Sequence, residues 1–146
     1  MSDFKSAFQN GLEAAKKADA SRAEIADVFK DLNQQITDAS HGKLAIRRYE
    51  FERARSAFQQ IALILTPADT YWVIGATNPT ITGMQPEKLC NWDEDRAGYP
   101  CKLTWGGDEH YCEDKQALEI NLSNLLSDPV VAKILLKIMN FETIKK

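Results

Sequence analysis

Long apolar runs are missing from this sequence. The longest, Ile61 to Leu65, is about five residues, whereas a helix needs about twenty to cross a bilayer. No membrane association is therefore expected. Met1-Ser2-Asp3-Phe4-Lys5 turns polar at once and lacks the apolar core of a signal peptide, which points to a cytoplasmic protein. Cysteine is scarce, at three. An odd number cannot complete a disulfide framework, and reduced thiols fit a cytosol better. No C-x-x-C pair, nucleotide-binding loop or alternating calcium loop is present. No nucleophile elbow surrounds a serine. His41 and His110 are the only two histidines, and His41 sits at an expected helix end, where a cation is favoured without any catalytic role. These gaps weigh against an enzyme, and neither a catalytic residue nor a cofactor is assigned.

What is there is ordinary globular material. The 146 residues are 44% hydrophobic and 27% charged, enough for one core and one domain, 1–146. The net charge of −3 is unevenly spread. Residues 43–67 carry +3 and residues 68–116 carry −5. The acidic part repels nucleic acid and attracts basic surfaces.

Periodicity predicts an α+β domain. Phe4, Phe8, Leu12 and Ala15 mark one helix, and Asp19-Ala20-Ser21 a break. Ser21 and Glu24 have capping-box spacing, and Ile25, Val28, Phe29, Leu32 and Ile36 form the stripe of a second helix ending near Gly42. An N-terminal helical hairpin is expected. An antiparallel meander of about four strands follows. Its clearest strands are Leu44–Phe51 (with a face switch near Arg47-Arg48), Thr70–Gly75 and Cys101–Trp105, with residues 57–65 and, after a turn at Gly106-Gly107, Glu109–Cys112 as further candidates. Two C-terminal helices close the chain, the second starting at Asp128-Pro129.

Residues 88–114 hold the rare side chains: all three cysteines, Trp92, Trp105, His110 and seven carboxylates. Cys90, Cys101, His110 and Cys112 are a legitimate zinc ligand set, but their spacing lacks a chelating pair. Packing as small hydrophobes is the simpler expectation, with an enzyme whose site is assembled around His110 and Cys112 as a further alternative. Gly106-Gly107-Asp108-Glu109-His110 resembles the hairpin motif of diguanylate cyclases over five residues, with His in place of Phe. That family would hold a nucleotide and a metal there, whereas a plain hairpin turn accounts for the same residues.

Two binding surfaces follow. Aromatic anchors with a polar rim mark interfaces, so Trp92, Asp93, Glu94, Asp95, Tyr99, Asp108 and Glu109 are expected to dock a protein with a basic surface. An inhibitor, immunity or antitoxin protein, or a chaperone, would work this way, and a homodimer is a further arrangement. Alternatively, Arg47, Tyr49, Phe51, Arg53 and Arg55 would line one strand face and hold nucleic acid by stacking and phosphate contacts. The overall acidity, with a pI near 5.4, disfavours that alternative.

Overall fold

A run of alanines at 14, 15, 18, 20 and 23, with no proline, makes the N-terminal region a strong helix former. In the structure, a computed structural model describing residues 2–53 and 69–141, it forms one unbroken helix, α1 (Phe4–Ala39, 36 residues). The expected hairpin is thus a single rod. Asp19 and Ser21 cost only a few tenths of a kcal/mol each inside a helix, roughly, and the surrounding alanines offset that. The capping-box pair is not used as a cap. Arg22 instead bonds Asp19 at 3.7 Å and donates to the carbonyl of Arg96, while Glu24 accepts from the Tyr99 hydroxyl at 2.8 Å. The true N-cap is Asp3, whose carboxylate accepts from the Ser6 amide at 3.0 Å. The helix ends as expected, with His41 and Gly42 both at positive φ.

Five strands follow among the described residues: β1 (Ala45–Glu52), β2 (Thr70–Thr77), β3 (Glu87–Asp95), β4 (Gly98–Trp105) and β5 (Asp108–Cys112). They form one antiparallel sheet in sequence order. The strand expected at residues 57–65 lies outside the described residues, as does Arg55. No face switch occurs in β1, which pairs residue for residue with β2 from Ala45↔Thr77 to Glu52↔Thr70. The irregularities fall instead on β3, where Leu89 is extra opposite Ile74/Gly75, and on β4, where Tyr99 and Pro100 are extra opposite Glu94/Asp95. β3 was not expected, because Asn91–Asp95 is almost wholly polar. The Gly106-Gly107 turn between β4 and β5 is as expected, with both glycines at positive φ.

Two helices follow β5 among the described residues, α2 (Lys115–Ser127) and α3 (Pro129–Met139). α1 crosses one sheet face from β1 to β4, α2 packs on β5, and α3 reaches β2 and β3. The core lies between these layers, with Ile25, Phe29, Ile74, Trp92, Leu103, Leu118 and Ile138 buried. Asp128 caps α3 by accepting from Val130 N at 2.8 Å and Val131 N at 3.3 Å. Asp128→Ala is expected to cost about 1 kcal/mol, read as a fall in the thermal midpoint. Asp128→Asn should retain most of the stability.

Candidate functional site

Strand alternation sorts the candidate residues onto two sheet faces. The register places Arg48, Ile74 and Cys90 in one inward row and Trp92, Leu103 and His110 in another, with Cys101 opposite Cys112. Tyr49, Val73, Asn91, Thr104 and Glu109 line up on the other face.

The thiols are packed. Cys90, Cys101 and Cys112 are buried and unbridged. Burial pushes the Cys90 thiol up to about 12. Cys101 and Cys112 act together. Each thiol faces the other across the β4–β5 pairing; this interaction raises Cys101 and, aided by the Asn121 amide that donates to the Cys112 sulfur at 3.3 Å, lowers Cys112. His110 stacks on Trp105, with centroids 3.8 Å apart. Among the described residues, no group of three or more His, Cys, Asp or Glu side chains is placed to hold a metal. The four residues of the zinc set share the inward face, but the thiols are packed into the core and His110 is stacked on Trp105.

The acidic docking set is divided. Trp92 is only 3% exposed and meets Phe29 edge-to-face at 5.1 Å, so its indole is core material and not an exposed anchor. Asp93 and Glu109 share Lys102 on the outer face, at 3.8 and 3.4 Å. The Tyr111 hydroxyl donates to Glu109 at 2.9 Å, and together with Lys102 it holds that carboxyl below its ordinary range. Glu94 turns inward to Arg48 at 3.1 Å. Asp95 accepts from the Ala97 amide in the β3–β4 turn. Tyr99 ties the sheet to α1 through Glu24; burial first, and that bond second, raise its hydroxyl. Only Asp95 and Asp108, at the hairpin ends, stand open without a salt bridge among the described residues.

The unbroken register of β1 keeps Arg47, Tyr49 and Phe51 on one sheet face, with Arg53 just beyond the strand end. Tyr49 lies against Gly75, where an added Cβ would come within 2.9 Å of its ring. Phe51 meets Tyr71 edge-to-face at 6.1 Å, and Arg53 covers Tyr71 at 5.0 Å while pairing with Asp69 at 3.4 Å. These aromatics are engaged with their own sheet neighbours and are not presented as a row of free stacking platforms.

Two features were not foreseen. One is a groove of about 740 Å³ between α1 and β1–β3. Arg48 spans it, 4.7 Å from the Phe29 centroid and 5.9 Å from Trp92, beside a half-exposed Trp72. The other is the free half of α1. A 36-residue helix is about 54 Å long, while strands of eight or nine residues reach about 30 Å. The sheet cannot cover the whole rod, and residues 2–17 are all exposed. Phe4 is 80% exposed, Phe8 67% and Leu12 48%. The step-of-four stripe was visible in the sequence, but the assumed break at Asp19–Ser21 folded it back onto the domain. No family model, curated protein or solved structure matches the chain.

Proposed function

We propose that this protein acts by binding another protein, and that the free arm of α1 is the element that binds. The exposed stripe of Phe4, Phe8 and Leu12 carries this reading. Large apolar side chains at helical spacing are the anchors with which a helix seats in an apolar groove, and a contiguous exposed patch of this kind marks an interaction site. A helix of this length without tertiary contacts is marginal alone, so a partner would also stabilise the arm. Asp95 and Asp108 at the hairpin ends favour a partner with some basic surface. Inhibitor, immunity-type and chaperone-type proteins all fit such a role, and three buried, unbridged thiols accord with a reducing cytoplasm.

The experiment is affinity capture from the native source with three baits: wild type, Phe4→Asp/Phe8→Asp and Asp95→Lys/Asp108→Lys. Loss of the captured protein from the first variant supports the arm. Equal recovery by that variant, or loss only from the hairpin variant, overturns it.

A further inference from the structure

The arm is complementary to itself. Phe4, Phe8, Gly11, Ala15, Ala18 and Arg22 recur at alternating steps of four and three, the seam of a coiled coil. The same seam continues as Ile25, Phe29, Leu32 and Ile36, which packs on the sheet. Past the sheet it is exposed. It holds large residues toward one end and small ones toward the other, so an antiparallel copy would place large on small.

We infer that the arms of two copies of this chain pair antiparallel about a two-fold axis near residue 13, forming a dimer. This rests on the reading of the arm as the binding element and names its occupant. In one register, Phe8 lies on Ala18 of the second copy and Gly11 beside its Ala15, while Phe4 reaches its Arg22. The flanking positions then follow without further choice. Lys5 meets Asp19 of the second copy, Leu12 meets Leu12 and Ala14 meets Ala14. Each contact occurs twice or lies on the axis, as a two-fold interface requires. The charges agree: Lys5 and Asp19 are opposite in sign and both exposed, and Asp19 has only a 3.7 Å contact to Arg22 within its own helix. The area agrees too. Phe4, Phe8 and Leu12 offer about 400 Å² per copy at their observed exposures. With the small residues between them, two arms approach the roughly 1,000 Å² that a specific interface needs. Small residues at the centre let the helices approach closely, and the two sheets lie at opposite ends of the pair.

Sedimentation velocity of the full chain across a concentration series tests this. The wild type is expected to be a dimer, and Phe8→Asp to raise its dissociation constant about thirtyfold or more with an unchanged melting profile for the sheet domain. Lys5→Asp places two acids opposite each other and Asp19→Lys two bases, so each alone should weaken the dimer. Mixed together they should form a heterodimer in preference to either homodimer, because every cross-pair is then opposite in sign. A wild-type monomer, a dimer indifferent to Phe8→Asp, or no preference in the mixture overturns the antiparallel pair. The first of these outcomes, combined with arm-dependent capture of a different protein, would overturn the second copy as occupant and still leave the arm as the binding element.

Discussion

A Trp92→Ala protein is expected to be about 3–5 kcal/mol less stable than the wild type. Trp92 joins the largest side chains of three elements. It is buried at 3% exposure, lies opposite Leu103 across the β3–β4 pairing and meets Phe29 of α1 edge-to-face. Removing the indole leaves a cavity that neither a strand nor a long helix can collapse to fill. It also strips one of the two rings beneath the Arg48 guanidinium, leaving that half-buried cation with Phe29 and Glu94 alone. Trp92→Phe should recover much of the loss. Urea unfolding checks both variants. A cost for Trp92→Ala below about 0.5 kcal/mol, the range of surface substitutions, would mean that the indole is not core and would restore it as a candidate anchor.

Gly98→Ala should be the most damaging glycine substitution. Gly98 sits at φ +90 in the β3–β4 turn, and a Cβ there would stand 2.9 Å from Ser21 Cβ and 3.2 Å from the Arg22 amide nitrogen. A residue with a Cβ in such a conformation costs about 1–3 kcal/mol, and the overlap adds to that because helix backbone cannot yield. α1 must then lift, loosening the Arg22–Arg96 and Glu24–Tyr99 contacts. Gly106→Ala is the control: its φ is +62 with open space around it, so only the conformational penalty applies. Equal losses from the two substitutions in urea unfolding would show that α1 is not pressed against this turn.

Much of the fold was legible because its signals are local. Asp128-Pro129, Gly106-Gly107 and the stripe from Ile25 to Ile36 each specify structure through neighbours in sequence. β3 escaped because Asn91-Trp92-Asp93-Glu94-Asp95 has little strand character of its own. It is a strand because Leu103 and Ile74 lie beside it and Lys102 and Arg48 neutralise its acids. Asp19–Ser21 misled for the opposite reason: its cap-like residues are real, but a helix breaks only when the broken form is better, and the alanines around it make the continuous one better. The candidate site was less legible than the fold. Clustering of rare residues in one stretch is a fact of sequence; the sheet gathers the cysteines, Trp92 and His110 on its inward face as packing material and divides the carboxylates between its two faces. The arm became visible only through a comparison of lengths, a rod set against a shorter sheet.

Every strand of the sheet pairs with its neighbour in the chain, and this bears on the order in which the molecule assembles. The β4–β5 hairpin closes across two glycines, whereas the ties from α1 to the β3–β4 region join residues 74 and 75 positions apart. With loop closure costing about 0.6 kcal/mol per doubling of length, the long tie starts roughly 3 kcal/mol behind. The meander can zip up from its turns and α1 can dock on β1 across a short connection, where Asn33 accepts from the Ile46 amide 13 positions away, so the ties between α1 and the β3–β4 region are the last to close.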